Sequence, residues 1–380
     1  MKASVKQGWV EKPLGEISTL QRGFDLPKRL REPGEFPLVT SSGPTDTHSE
    51  AKVKGPGVAT GRSGSIGNVF FVEDDFWPLN TALYVKDFHG NDPRFVYHLL
   101  NYVNLARFAS GAGVPTLNRN DVHGELYRIP ANIEEQQRIV AVLDEAFEGL
   151  TRARAHAEAN LRNARDLFDG QLSAIFGKIE SGQKKPLGDV CEFVRGPFGG
   201  SLKKAIFKPS GYAVYEQQHA IGDQFEDFRY FIDDAKFAEM ERFRVEAGDL
   251  IMSCSGTMGK VAIVPEGAPD GIINQALLKL RPGEEMRAEF LKRWMQSDDF
   301  QDQLSANTMG VAIKNVASVK TLKTLSVMVP SLEEQHTIVS KSEDAEQQLI
   351  AITRSYETKL QDLEDLRQSL LQKAFAGELT

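Results

Sequence analysis

The stretch Cys254-Ser-Gly-Thr-Met-Gly-Lys260 sets a glycine before a lysine and runs straight into the apolar Val261-Ala-Ile-Val264. This is the outline of a phosphate-binding loop. Such a loop needs Gly, four residues, then Gly-Lys-Ser/Thr, so that its amides cradle phosphate and its hydroxyl reaches a metal. Cys254 stands where the first Gly belongs and Val261 where the hydroxyl belongs, so the nucleotide reading fails. Other catalytic patterns fail too. An adenine methyltransferase would show Asp/Asn-Pro-Pro-Tyr/Phe, and the chain has no Pro-Pro. Pro269-Asp270 lacks the acidic-x-Lys that a metal-dependent nuclease carries at a usable distance. No Gly-x-Ser-x-Gly elbow or Cys/His pairing stands out. The seven histidines lack ligand spacing and the two cysteines are too few for a zinc site, so no metal is expected. The chain reads as non-catalytic.

At 380 residues the chain is long enough for two domains, and no apolar run approaches the ~18 residues of a membrane span. No signal peptide opens it, and its scarce cysteines fit a reducing cytoplasm. The net charge of −8 is unevenly spread. Residues 1–129 carry +1 and 184–329 carry −1, while 130–183 carry −3 and 330–380 carry −5. Two near-neutral segments rich in Lys and Arg thus alternate with two acidic ones. A near-neutral domain can bind DNA when its positive groups share one face.

The origin of the glycine-lysine loop lies in an internal repeat. Lys12-Pro-Leu-Gly-Glu-Ile17 returns as Lys185-Pro-Leu-Gly-Asp-Val190, and Arg22-Gly23 returns as Arg195-Gly196, both at an offset of 173. Gly64-Ser-Ile-Gly-Asn-Val69 returns as Gly256-Thr-Met-Gly-Lys-Val261. Leu79-Asn-Thr-Ala-Leu83 matches Ile273-Asn-Gln-Ala-Leu277, and Phe95 matches Phe290. Gly113-Val-Pro-Thr-Leu-Asn118 aligns with Gly310-Val-Ala-Ile-Lys-Asn315. Ile133-Glu-Glu-Gln136 returns as Leu332-Glu-Glu-Gln335, each shortly after a proline. Repeats on this scale signal duplicated structural units.

Each copy opens with short apolar strands bounded by Gly, Pro and Ser, including 36–40, 69–72 and 83–85, then 212–215, 261–264 and 277–280. A helix is expected around 93–109 and around 286–304. Asn132-Ile-Glu-Glu135 and Ser331-Leu-Glu-Glu334 read as capping boxes that open Pro-free tails. Gly177 and Gly377 stand where left-handed helix ends are favoured. Each tail of about 43 residues would be roughly 65 Å long as one helix. Leu143, Phe147, Leu150, Ala157, Leu161, Ala164 and Phe168 are spaced as a coiled-coil seam, as are Leu349, Ile352, Tyr356, Leu360, Leu363 and Leu370. The expected fold is α+β: two similar globular domains in tandem, 1–130 and 184–330. Two long helices, 131–178 and 331–378, separate them. If these pair, the second must return toward the first domain, giving an antiparallel coiled coil with pseudo-twofold symmetry. Two related domains at fixed separation suit a two-part linear target such as double-stranded DNA with two half-sites.

Trp9-Val-Glu-Lys-Pro-Leu-Gly-Glu-Ile17, its echo at 185–190, the two Gly-x-x-Gly-x-Val loops and the two Pro…Glu-Glu-Gln helix starts resemble the specificity subunit of type I restriction-modification systems. The resemblance spans essentially the whole chain. One departure is Pro130-Ala131 and Pro330-Ser331, where the family often has Pro-Pro. The resemblance implies two target-recognition domains reading a bipartite DNA site. It also implies partnership with two copies of a methylation subunit, with or without restriction subunits. S-adenosylmethionine and ATP would bind those partners, leaving this chain without a cofactor. The competing expectation is a coiled-coil scaffold that binds proteins without reading DNA.

The candidate DNA-contacting residues follow from type and repeat position. They are Arg22, Lys28, Arg29, Arg62, Ser63, Ser65, Asn80, Asn118 and Arg119 in the first copy. In the second they are Arg195, Lys203, Lys204, Ser255, Thr257, Lys260, Asn274, Lys314 and Asn315. Arginine and lysine suit phosphate, and asparagine can pair bidentately with adenine. Each has a bland alternative: turn formation for the glycine loops, a structural amide for Asn80 and Asn274, and a surface ion pair for Arg22 and Arg195.

Overall fold

In a computed structural model, which describes residues 7–111, 113–198, 200–255, 257–306 and 319–380, the chain forms two compact units. One comprises Met1–Glu158 with Glu357–Thr380, the other Ala159–Tyr356.

In the first unit, strand Trp9–Pro13 pairs antiparallel with Leu126–Pro130. A four-stranded antiparallel sheet follows in the order Thr19–Arg22, Ala82–Asp87, Gly57–Gly61, Val69–Val72. The Gly-Val-Ala-Thr-Gly strand is buried throughout, and the Thr60 hydroxyl is satisfied by the Asn68 carbonyl at 2.8 Å. A smaller sheet has the order Gly43–His48, Phe36–Thr40, Trp77–Pro78, its last pair parallel. Helix Pro93–Val103 begins where Asp92 accepts from the Phe95 amide at 2.9 Å, with proline at its first position. It presses Phe95, Val96 and Leu99 into the core.

The second unit repeats this plan. Gln183–Pro186 pairs with Ser326–Val329. The four-stranded sheet runs Cys191–Arg195, Leu277–Pro282, Leu250–Ser253, Val261–Ile263. The smaller sheet runs Phe231–Ile232, Tyr212–Tyr215, Gly271–Ile273, again with a parallel last pair. Strand order and pairing sense match the first unit, so the sequence repeat is a repeat of topology. The expected helix at 286–304 is broken into Ala288–Gln296 and Asp298–Ala306. Ser297 divides them in extended geometry, its hydroxyl bonded to the Trp294 carbonyl at 2.7 Å.

The long helices span Ile133–Gly177 and Leu332–Ala376. In the first, every expected seam residue is buried or half-buried. In the second, Ile352 is exposed and Thr353 takes its place. Strict alternation of fours and threes from Leu349 reaches 353, 356 and 360, so geometry overrode the larger side chain. Gly377 has φ +77, but Gly177 is simply the last helical residue and is not left-handed.

Both helices complete the domain cores. In the first unit Ile139 and Leu143 lie in one cluster with Leu371, Ala374 and Phe375. Phe375 sits 5.4 Å from the Phe95 ring and 4.9 Å from Tyr102. Glu135 meets Thr380 while Phe147 lies 5.2 Å beneath Arg367, so the two segments run antiparallel there. In the second unit the equivalent Phe176 packs 5.3 Å from Phe290, in a cluster with Ile338 and Val339.

The repeated Glu-Glu-Gln does more than start a helix. The Asn132 and Ser331 side chains do accept helix amides, from Glu134 at 2.9 Å and Glu334 at 3.3 Å. The third residue is buried. Gln136 donates to the Pro130 carbonyl (3.0 Å) and to Asn91 Oδ1 (2.8 Å), and accepts from the Asp92 amide (2.9 Å). Gln335 donates to the Pro330 and Glu285 carbonyls (2.9 and 2.8 Å) and accepts from the Arg287 amide (2.8 Å). In each unit one glutamine fastens the segment before the domain's helix to the start of a long helix.

Candidate nucleic-acid interface

The antiparallel order brings four chain positions to one end of the first unit's larger sheet: the exit of Thr19–Arg22, the entry to Ala82–Asp87, the exit of Gly57–Gly61 and the entry to Val69–Val72. Arg22, Asn80, Arg62, Ser63 and Ser65 therefore gather there. Arg22 donates to both oxygens of Asp25 at 2.9 and 3.2 Å, and Asn80 donates to the same carboxylate. Arg62 donates to the Asn80 carbonyl at 3.1 Å. Ser65 and Ser42 share a hydroxyl contact of 3.3 Å. Ser63 bridges to Thr116, next to the turn where Asn118 caps a short helix and Arg119 reaches the Leu20 carbonyl. Lys28 and Arg29 lie exposed on the 3-10 turn Lys28–Leu30.

The second unit builds the same corner. Arg195 lies against Cys254, whose amide donates to the Ala276 carbonyl at 2.9 Å. Asn274 Oδ1 accepts from the Ala276 amide at 2.9 Å and thereby closes its own turn. Ser255, Thr257 and Lys260 are exposed on the adjoining loop, and Lys203 and Lys204 are exposed at the start of a 3-10 turn. Lys314 and Asn315 lie outside the described residues.

Glycine is required where these elements converge. A Cβ on Gly23 would meet the Leu79 carbonyl at 2.3 Å, and one on Gly196 the Asn274 carbonyl at 1.9 Å. The Arg-Gly pair thus lets each strand end approach the asparagine turn closely. Gly67 and Gly259, equivalent in the repeat, have φ +98 and +77.

The loop that began as half a phosphate motif can now be judged. Its Cys254 and Ser255 amides donate to the Ala276 carbonyl and Gln217 Oε1, and its Gly259 and Lys260 amides to Ser253. In the first copy the Arg62 and Ser63 amides both donate to the Thr81 carbonyl and Gly64 to Pro115. These amides are spent internally and are not free to cradle a phosphate, whereas the side chains of Ser255, Thr257 and Lys260 are exposed. Burial pushes the Cys254 thiol up to about 11 and the Cys191 thiol up to about 12, which makes both poor nucleophiles at neutral pH. Among the described residues no group of three His, Cys, Asp or Glu is placed to hold a metal, and no helix is long and apolar enough to cross a membrane.

Three participants escaped the sequence reading. Asp25 is the hub for Arg22 and Asn80, signalled only by its spacing three after an arginine. Ser41-Ser42 forms the turn beside Ser65, where the Ser41 amide donates to Thr81 Oγ1 at 3.4 Å. Gln217 opens helix Gln217–Gly222, directly after the central strand of the smaller sheet. The first copy has a tight hairpin at that position, Phe36–Thr40 into Gly43–His48. The copies therefore share their corner and differ in what flanks it.

The comparisons with known proteins agree with this duplicated architecture. The chain matches the family described as "Type I restriction modification DNA specificity domain" twice, over residues 6–159 and 180–362. It is similar to the type I restriction enzyme EcoBI specificity subunit of Escherichia coli, 32% identical over 143 residues, or 37% of this chain and 30% of that protein. The EcoprrI specificity subunit of the same organism is 29% identical over 159 residues, 40% of this chain and 39% of that one. The matched stretches thus span well under half of these relatives. A chain solved in work on complex assembly and conformational transition of the type I R-M system superposes with a TM-score of 0.79 at 20% identity, covering 99% of this chain and 100% of that one. The HsdS subunit from Thermoanaerobacter tengcongensis gives 0.56 at 20% identity, covering 100% and 99%. At such identity the likeness speaks to fold. With two family matches covering most of its length, the chain belongs to the type I restriction modification DNA specificity domain family and carries two such domains in tandem.

Proposed function

We propose that the chain recognises a bipartite double-stranded DNA site, one half per domain, as the non-catalytic specificity subunit of a type I restriction-modification complex. One observation carries this reading. The same polar corner, Arg-Gly beside a glycine loop beside an asparagine turn, recurs at the same end of the same sheet in both units, with different flanking structure. A shared corner suits the common phosphate backbone, and diverged flanks suit two different half-sites. A scaffold holding two equal ligands would gain nothing from that divergence, and the specificity subunits among its relatives lend the scaffold reading no support. Methyl transfer then belongs to methylation subunits, two copies in our reading, with S-adenosylmethionine bound there. The assembly is cytoplasmic in this reading, with or without restriction subunits and the ATP they would use. Selection from a random duplex pool by the chain together with its methylation subunit tests this. Enrichment of two short blocks at fixed spacing is expected. No enrichment, or methyl transfer by the purified chain alone, would overturn it.

A further inference from the structure

The loop after Arg195 carries a feature with no counterpart in the first unit. Phe24 follows Arg22-Gly23 and packs inward, its ring 6.3 Å from Trp77 and 5.8 Å from Tyr84. At the equivalent place the second copy inserts Pro197, which is buried, and its aromatic comes one residue later. Phe198 is 92% exposed, the most exposed large hydrophobic side chain among the described residues. The loop is anchored, since the Gly196 amide donates to the Leu277 carbonyl at 3.0 Å and Gly196 touches the Asn274 turn. A further bond runs from the Ser201 amide to the Phe198 carbonyl at 2.9 Å. Its charge is one-sided: between Glu192 and Glu216 there is no acidic residue, while Arg195, Lys203, Lys204 and Lys208 are basic.

An apolar tip on a basic loop beside polar residues that face a ligand has a specific chemistry. Proteins that kink DNA insert such wedges between base steps while flanking cations hold the phosphates. We infer that Phe198 is a wedge residue that enters the base stack at the half-site read by the second domain. Resting on the DNA-recognition reading above, this adds a deformation step there and none at the first domain, where Phe24 is packed away. The half-site of the second domain would then favour a flexible pyrimidine–purine step at the point of entry.

The test uses the full chain with its methylation subunit and the duplex obtained by selection, with 2-aminopurine placed in turn at each step of the half-sites. The base that the methylation subunit extrudes for methyl transfer should brighten in each half-site. Beyond it, wild type should raise fluorescence at one further step, in the second half-site only, as that base unstacks. Phe198→Ala should abolish the rise and weaken binding about 10- to 100-fold. Phe198→Leu, which keeps an apolar wedge, should retain most of both. The wedge is refuted if no step unstacks in wild type beyond the extruded target bases, or if Phe198→Ala binds within twofold of it. Loss of co-purification with the methylation subunit in Phe198→Ala would also refute it, by making the residue a protein contact. If wild type itself selects no duplex, the DNA-recognition reading falls and the wedge with it.

Discussion

Replacing Gln335 by leucine should loosen the second unit while sparing the first. The side chain is fully buried and its amide makes three bonds of 2.8–2.9 Å, to the Arg287 amide and the Glu285 and Pro330 carbonyls. Leucine fills nearly the same volume, so the cavity contribution is small. It leaves one donor and two acceptors unpaired, each costing about 1–3 kcal/mol when water cannot reach it. Taking the low end for all three gives about 3 kcal/mol, or roughly 6–12 °C in the melting temperature of a unit this size. Hydrogen exchange followed by mass spectrometry separates the two units without needing them to melt apart. Protection should fall in Ala288–Gln296 and the first turns of Leu332–Ala376, and hold in Pro93–Val103. Gln136→Leu should show the mirror pattern. A loss below about 1 kcal/mol, or equal loosening of both units by one substitution, would refute the idea of a local clamp.

Acid should affect the units unequally. His98 is 1% exposed, contacts Asp144 at 2.7 Å, and has Arg94 and Arg367 nearby. Burial outweighs the Asp144 bond and lowers its pKa from 6.5, so the unfolded chain protonates first. The first unit should lose stability as pH falls below about 6.5, by at most ~1.4 kcal/mol per pH unit, and His98→Gln should flatten the profile. In the second unit Arg293, at the position of His98, pairs with Glu346, and the arginine bond lowers the carboxylate's pKa. The corresponding loss should therefore begin only as pH falls into the ordinary glutamate range near 4.5 and be complete below it. Pulsed hydrogen exchange on samples equilibrated between about pH 7 and about 3.5 reads both. Asp25→Asn removes the carboxylate shared by Arg22 and Asn80; non-specific DNA affinity should rise a few-fold with a steeper salt dependence, as anisotropy titrations would show. Asn80→Ala and Asn274→Ala should each relax preference in one half-site only, read by duplex selection; relaxation of both halves by either change would contradict modular reading.

The parts of this fold that the sequence announced are those in which one chemical requirement dominates. The long helices could be read because Pro is absent and apolar residues recur at threes and fours. The duplication could be read because Arg22-Gly23 and Arg195-Gly196 must clear a carbonyl, which permits no other side chain. What stayed hidden depends on tertiary context. Ile352 and Thr353 differ by one position, and only strict alternation along the seam chooses the smaller residue. Gln136 and Gln335 looked like helix-start polar residues, because nothing local says that a polar side chain will be buried against a distant loop. In the candidate interface residue types were legible but partners were not: Asp25, Ser42 and Gln217 reach the corner through folding alone.

Leu371, Ala374 and Phe375 belong to the core of the first unit, although more than two hundred residues separate them from its strands. The second unit is one continuous segment, Ala159–Tyr356. On the ribosome this inverts the usual order in which N-terminal domains fold first. The domain made second can close as soon as its segment has emerged. The domain made first must wait, with Phe95 and Tyr102 uncovered, until residues 357–380 leave the exit tunnel. A ribosome that stops early would therefore release a chain whose later half has its core complete and whose earlier half lacks Leu371, Ala374 and Phe375, and quality-control proteases would meet the beginning of the protein before its end.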